Sequence, residues 1–421
     1  MGRCLGSSFA ALRIRNYAIL WAGSLGTFTA FFMSTIVQAI VAFELTGRNG
    51  AVGVVLLGQG LSMAFLGPFG GAVADRASKR LVSAIGAAVI TAVFFVIGVL
   101  LAIDRIEIYH LAIGSFIIGM MFAFMGPARQ AWVVDLVEED LRPNAVALNQ
   151  VALNAARIWA PAIGGVLVTI SFIGAAGAYF LMAVLYAGTT FSLLLLPPSK
   201  PTPNAGRSVV QDMMAGVRYV NGQPRLRWML VLFFAMIVLG LSSTTVLPGL
   251  LENELSEDVE QFGILQTVNA VGGLAASLAV AGIARSSRAL TVYSLGALLT
   301  GAALVLTGLS PNLMVLFVPM FLMGLGTGAF QTLNSAVIVM ESEPAYYGRV
   351  ISLTSLAFAG FMLAGLPVGL AADAFGERIT LIVMGVMTMV IAAVLWPVIA
   401  RAKPNVIVHE RDVEAAAAGG D

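Results

Sequence analysis

The chain has 421 residues, of which 59% are hydrophobic and 11% charged, and its net charge is +1. Charged residues normally make up about a quarter of a soluble chain, so this composition rules out an ordinary water-soluble surface. The basic residues are spread over separate loops, which excludes a nucleic-acid stripe, and the single cysteine, Cys4, excludes an internal disulfide or a thiolate metal cage.

The N-terminal segment Met1-Gly2-Arg3-Cys4-Leu5-Gly6-Ser7 narrowly misses a myristoylation signal and reads as a cytoplasmic tail. The first apolar run is too long for a signal peptide and ends in Thr46-Gly47-Arg48-Asn49-Gly50 rather than a cleavage site. It is expected to remain as the first span. A hydrocarbon core of roughly 30 Å is crossed by about 20 apolar residues of helix. Runs of that length are predicted near residues 17–42, 51–74, 81–103, 108–131, 145–169, 173–196, 227–250, 260–284, 288–309, 312–338, 349–372 and 378–400. Their continuous apolar character, as in 82–103 and 381–399, excludes the alternating segments of a porin-type barrel. The class is therefore an all-α polytopic membrane protein.

Lysine and arginine collect on alternate connections. Arg76, Lys79, Arg80, Arg129 and Arg142 fall on one side, and only Arg48, Arg105 and Arg378 fall on the other, together with the acidic cluster Glu252, Glu254, Glu257, Asp258 and Glu260. The positive-inside rule then predicts a multi-pass protein of the cell membrane with both termini cytoplasmic. The stretch Pro197-Pro198-Ser199-Lys200-Pro201-Thr202-Pro203-Asn204 cannot be helical and separates six spans from six. After it, Val209, Val210, Met213, Met214, Val217 and Val220 recur near helical spacing, which predicts an amphipathic helix on the inner membrane surface, with an extended tether as the alternative. The expected organisation is a bundle over 1–196, a linker over 197–226, a second bundle over 227–400 and a tail over 401–421.

The halves repeat each other weakly. Phe116-Ile117-Ile118-Gly119 matches Phe321-Leu322-Met323-Gly324, and the same offset carries Ala131 onto Ala336 and Gly164 onto Gly369. Such repeats are how many transporters build two bundles around a midplane site.

Between the second and third spans stands Gly71-Ala72-Val73-Ala74-Asp75-Arg76-Ala77-Ser78-Lys79-Arg80. This resembles the signature loop of the major facilitator superfamily, with Ser78 in place of the usual second glycine and Lys79 in place of the following arginine. The resemblance implies the major facilitator fold, twelve transmembrane helices in two pseudo-symmetric six-helix bundles. It also implies an inner gate formed by Gly71, Asp75, Arg76, Lys79 and Arg80, in which Asp75 latches onto the start of the eleventh helix near Gly348-Arg349. A basic hairpin that only sets topology is the alternative. The matching loop of the second half, Ile283-Ala284-Arg285-Ser286-Ser287-Arg288, lacks the acid, so no second latch is expected.

Further stretches narrow the resemblance: Phe43-Glu44-Leu45-Thr46-Gly47, Gly126-Pro127-Ala128-Arg129-Gln130-Ala131, Asp135-Leu136-Val137, Asn144-Ala145 and Asn154-Ala155-Ala156-Arg157-Ile158-Trp159-Ala160-Pro161-Ala162-Ile163-Gly164-Gly165. They are similar to a bacterial branch with enterobactin-exporting, macrolide and multidrug efflux members, which implies export. Ala160-Pro161 replaces the Gly-Pro of antiporter relatives, and Ser115 stands four residues before Gly119 where many proton-coupled members carry an arginine.

In the fifth span, Gln150, Asn154, Arg157, Pro161 and Gly164 fall on one helical stripe that cannot face lipid. Arg157 lies about halfway along, where it must meet a wet cavity or a polar contact. A structural role and a cargo or coupling role are both open to it. Gln38, Gln59, Gln266, Asn269, Gln331 and Asn334 are further central candidates, as interhelical glue or as cargo contacts. Pro161, Gly164 and Gly165 are assigned to bending and packing.

The only histidines are His110 and His409, and no nucleotide-binding, metal or nucleophile pattern occurs, so no enzyme, metal or cofactor is expected. The predicted function is a secondary active transporter working by alternating access. Its cargo would be small amphipathic or apolar compounds of the drug or siderophore class, with proton antiport as one energy source. Alternatives are a non-transporting receptor, or a carrier of lipid-like cargo without proton coupling. The expected partners are a small-molecule substrate and the lipid bilayer, with the chain a monomer.

Overall fold

The computed structural model describes residues 9–197, 209–283, 286, 288–343 and 346–402; the side chains of 68, 71–76, 209–213, 281, 339, 347, 348, 351, 352 and 355 lie outside that description. Twelve helices among the described residues are long and apolar enough to cross a membrane. They are α1 (Arg15–Glu44), α2 (Asn49–Arg76), α3 (Lys79–Ala102), α4 (Ile108–Asp135), α5 (Arg142–Thr169), α6 (Gly174–Leu194), α7 (Pro224–Ser242), α8 (Gln261–Val280), α9 (Ala289–Leu309), α10 (Leu313–Glu341), α11 (Tyr347–Phe375) and α12 (Glu377–Arg401). A helix closes its backbone hydrogen bonds on itself, the requirement that hydrocarbon imposes on an apolar run.

Local chemistry marks the helix ends. Gly47 after α1 and Gly376 between α11 and α12 hold φ of 63° and 90°, a region open to glycine at no steric cost. Asn312 caps α10 by accepting the Val315 N–H at 3.0 Å. His110 closes the start of α4, where its Nδ1 accepts the Glu107 N–H at 3.1 Å. The predicted seventh span does not continue as a regular helix. Beyond α7 the chain tightens through Ser243–Thr245, takes a turn at Leu247–Gly249 and widens over Leu250–Glu254. Pro248, which lacks an N–H and crowds the preceding turn, sits in the middle of that change.

The chain divides into two compact units, Met1–Val209 with Ser256–Thr267, and Val210–Leu255 with Val268–Asp421. In the first unit α2 packs along α4, α3 along α6, and α1 along both α5 and α6. Small residues allow the close approaches: a β-carbon added at Gly119 of α4 would stand 2.8 Å from the Gln59 carbonyl oxygen of α2. Phe94 of α3 meets Tyr179 and Tyr186 of α6 edge-on, at 6.0 and 5.5 Å between ring centroids. At one end of α1, the Tyr17 hydroxyl and the Trp21 Nε1–H donate to the carbonyls of Ala145 and Leu148 on α5, at 2.7 and 2.8 Å.

In the second unit α9 packs on α10 and α12, and α7 on α11 and α12. Gly324 of α10 is pressed against α8 at Asn269 and Gly273, the position that Gly119 holds against α2 in the first unit. The sequence repeat is thus a repeat of packing. At the α11–α12 turn, Arg378 pairs with Glu254 at 2.7 Å and donates to the carbonyls of Gly308 and Ser310 at 3.1 and 2.8 Å. This fork ties the turns after α7 to the end of α9.

The linker does contain a helix, Val209–Gly222. Residues 198–208 of the predicted linker, the tail from 403 and Ala284, Arg285 and Ser287 lie outside the described residues. The predicted apolar face of this helix is split. Val220 is buried with Leu226, Ile338 and Val350, whereas Met214 and Val217 are 61% and 45% exposed. Tyr219 stacks on Tyr346 at 4.2 Å and accepts the Glu343 N–H at 2.9 Å, while the Arg349 guanidinium lies over the Tyr346 ring. The linker helix is therefore packed as part of the second unit.

Candidate functional site

The polar stripe of α5 lies between two packed flanks of the first unit. On one flank Gly164 is pressed against Met33 and Val37 of α1. On the other, Gly165 meets Gly263 at the start of α8, where an added β-carbon would stand 3.1 Å from the Gly263 Cα, and Thr267 donates to the Ile158 carbonyl at 3.1 Å. Pro161 and Gly164 of the stripe are buried in these contacts, while its earlier part is not. Gln150 and Arg157 are exposed and Asn154 half-buried, and the Gln150 Nε2 reaches the Asn154 Oδ1 at 3.5 Å. Pro161 has no N–H to offer the Arg157 carbonyl, so α5 loses one rung of its ladder there.

The Arg157 guanidinium has no hydrogen-bond or ion-pair partner among the described residues. It stands 5.8 Å from the centre of the Phe32 ring on α1. Phe32 meets Phe31 edge-on at 5.4 Å, and Phe31 lies 4.4 Å from Phe122 of α4. Arg157 thus stands beside a group of aromatic rings, with Asn154 about one turn and Gln150 about two turns before it on α5. This set can hold a molecule with an apolar body and a polar or charged end.

The other central candidates are dispersed. Gln59 is buried within the first unit against α4, and its Nε2 has no partner among the described residues. Gln38 accepts the Ser115 hydroxyl proton at 2.8 Å, so the place where proton-coupled relatives are expected to carry an arginine holds a neutral interhelical bond. In the second unit, Asn269 donates to the Met320 carbonyl at 3.4 Å, and the buried Asn334 accepts from the Tyr293 hydroxyl at 3.4 Å, each joining two helices. Gln266 and Gln331 are half-buried. The predicted central set is therefore not one cluster. Gln59 and Asn334 stand inside their own units because an amide that satisfies a neighbouring helix has the same sequence signature as one that faces a cavity.

The backbone of Gly71, Asp75 and Arg76 forms the last turns of α2, and their side chains lie outside the described residues. Lys79, buried at the start of α3, forms an ion pair with Asp135 at the end of α4. The Arg80 Nη2 donates to the Leu194 carbonyl at 2.5 Å, a cation at the C-terminal end of α6 where the helix dipole favours it. Both basic residues thus engage partners in their own unit.

Sequence reasoning counted Arg129 among the loop charges, and the structure corrects this. Arg129 lies inside α4, buried, with Nη1 donating to Thr27 Oγ1 at 2.7 Å and Nη2 to Ser24 Oγ at 2.8 Å. Each hydroxyl gives its own proton to a carbonyl of α1, Gly23 for Thr27 and Leu20 for Ser24, which leaves lone pairs for the guanidinium. The available signal was the run Met125–Val134, in which Arg129 is the only charged residue and sits more than a turn before Asp135.

A family model described as transmembrane secretion effector matches residues 6–412. The staphyloferrin A transporter of Staphylococcus aureus is 26% identical over 365 residues, spanning 84% of this chain and 89% of that protein. Macrolide efflux protein A of Streptococcus pyogenes is 22% identical over 375 residues, spanning 87% and 90%. The enterobactin exporter EntS of Shigella flexneri is 26% identical over 264 residues, spanning 61% and 62%. Among solved structures, the nucleoside transporter NupG superposes with a TM-score of 0.72 at 14% identity, covering 92% of this chain and 100% of that one. A bacterial homologue of the lysosomal transporter Spinster also gives 0.72 at 14% identity, covering 92% and 97%. These two likenesses speak for the fold alone, and with the family match they agree with the twelve apolar helices. The chain belongs to the major facilitator superfamily, in its transmembrane secretion effector family, and is a multi-pass membrane transporter of small molecules rather than an enzyme.

Proposed function

We propose that this transporter exports small amphipathic or apolar compounds, of the drug or siderophore class, by alternating access. The single observation that carries this reading is the α5 stripe, where the exposed Gln150 and Arg157 and the half-buried Asn154 lie on one face and Arg157 stands beside the Phe32 ring. The relatives named for staphyloferrin A transport, macrolide efflux and enterobactin export support the same class of cargo. In this reading cargo meets α5 from the cytoplasmic side. Asp75 latches the inner side while the outer side is open, with Lys79 and Arg80 holding the loop in place. The chain works as a monomer on a transmembrane gradient.

Both termini are cytoplasmic in this reading, following the loop charges. Cys4, the only cysteine, gives a direct check. A membrane-impermeant maleimide should label it in inside-out vesicles and not in right-side-out ones; the reverse pattern would overturn the orientation. The function itself is tested in an efflux-deficient bacterium expressing the chain. Retention of macrolide and siderophore compounds should fall relative to the same strain without the transporter, and equal retention in the two strains would sink the reading.

A further inference from the structure

Arg157 is the one charged side chain in the middle of a span. Every acid in a spanning helix lies in a first or last turn, as do Glu44, Asp75, Asp135, Glu341, Asp373 and Glu377. His110 is likewise in the first turn of α4 and is used as a cap. Arg129, the other cation inside a helix, has its fork committed to Ser24 and Thr27. The elements packed on α5 carry further titratable groups, Tyr17 and Glu44 on α1, Tyr179 and Tyr186 on α6, Asp135 on α4 and Glu260 before α8, and none of them hydrogen-bonds or ion-pairs with Arg157 among the described residues. Tyr17 is bonded three turns away at Ala145, and Glu260 precedes α8, its carbonyl beside Gly165 two turns away.

Two consequences follow. First, an unpaired guanidinium between hydrocarbon-clad helices is strongly favoured by an anion and repels a cation, and arginine stays protonated at any physiological pH. Its planar fork suits a carboxylate or another oxyanion held by two hydrogen bonds. Second, moving a proton across the membrane by titration requires a carboxylate or imidazole that both faces can reach, and the spans place none at mid-depth.

We propose that Arg157 selects the charge of the cargo, that the cargo is an amphipathic organic anion, and that its export runs on the inside-negative membrane potential with no proton exchanged. This rests on the exporter reading above and names its substrate class and energy source. The site gains a proton in neither half of the cycle, so the net charge moved is the cargo's own. A potential of 100 mV then sustains about a 50-fold concentration ratio per unit of cargo charge.

The test uses the full chain in liposomes, with equal pH on both sides and a potassium–valinomycin potential. The probes are two xanthene dyes of opposite charge, the anion carboxyfluorescein and the cation rhodamine 6G. Carboxyfluorescein should leave vesicles at least 10-fold faster when the interior is negative than when it is positive, and rhodamine 6G, which crosses bilayers unaided, should move no faster than in protein-free vesicles. Arg157→Gln should abolish the potential-driven flux, while Arg157→Lys, which keeps the charge without the fork, should retain part of it. Comparing variants of equal melting temperature removes misfolding as an explanation. Carboxyfluorescein flux that needs a pH gradient and ignores the potential would overturn the proposal. Protein-dependent movement of rhodamine 6G alone would overturn it too while leaving the exporter reading standing; no protein-dependent movement of either dye under any gradient would overturn both.

Discussion

Helices α5 and α11 hold equivalent places in the internal repeat, and only α5 carries a charged residue midway along its length. The offset that carries Gly164 onto Gly369 places Ser355, Ala359 and Met362 where α5 has Gln150, Asn154 and Arg157. Ala359 and Met362 are buried, whereas Gln150 and Arg157 are exposed. Helices α4 and α10 behave in the opposite way: Gly119 and Gly324 make the same close crossing against α2 and α8. The two halves share their packing positions and differ in their chemistry. Close crossings tolerate only small residues and so constrain both halves alike, while an open stripe carries no packing constraint and is free to specialise.

Giving α5 the residue of its counterpart is the sharpest way to break this comparison. Arg157→Met should lower transport about 10- to 100-fold, the loss expected when a charge-assisted hydrogen bond of roughly 1.5–3 kcal/mol is removed from cargo binding. Unchanged flux in proteoliposomes, with a lower melting temperature, would return Arg157 to a structural role. Asp75→Asn addresses the other asymmetry, an acid present in the first signature loop and absent from the second. It should cripple transport while leaving expression intact, read as flux per molecule of purified protein.

Gly165→Leu also copies the second half, which has Leu370 there, 54% exposed. In α5 the new β-carbon would stand 2.8 Å from the Glu260 carbonyl and 3.1 Å from the Gly263 Cα, backbone atoms that cannot swing aside. A cost of about 1–3 kcal/mol should appear as a lower melting temperature. Gly119→Ala and Gly324→Ala add a single methyl at the paired crossings and should both lower the melting temperature, Gly324→Ala by more, since its β-carbon meets the Asn269 backbone while that of Gly119 first meets the Ser62 hydroxyl. An equal or smaller loss for Gly324→Ala in a thermal or denaturant melt would overturn this order.

Much of this was legible from residue order. Continuous apolar runs gave the number and type of spans, because in hydrocarbon every backbone group must be satisfied within the helix. Spacing along a helix put Gln150, Asn154, Arg157, Pro161 and Gly164 on one stripe. The fate of the amides was not legible: Gln59 and Asn334 went inside their units and Gln38 to Ser115, and spacing alone does not say which neighbour a helix face meets. Arg129 was missed for the same reason, since its hydroxyl partners on α1 are more than 100 residues away in the chain.

The sequence by itself determined that this is a twelve-span membrane protein of repeated halves with one cation at mid-depth, because hydropathy and helical period are local properties. Only the tertiary structure decided which polar groups are spent on holding helices together. Arg129 is tied to Ser24 and Thr27, Lys79 to Asp135, and Tyr219 to Glu343, whereas Arg157 keeps an open guanidinium beside Phe32. Partnership depends on which helices cross and at what depth, and that is fixed by small residues packing across long separations in the chain.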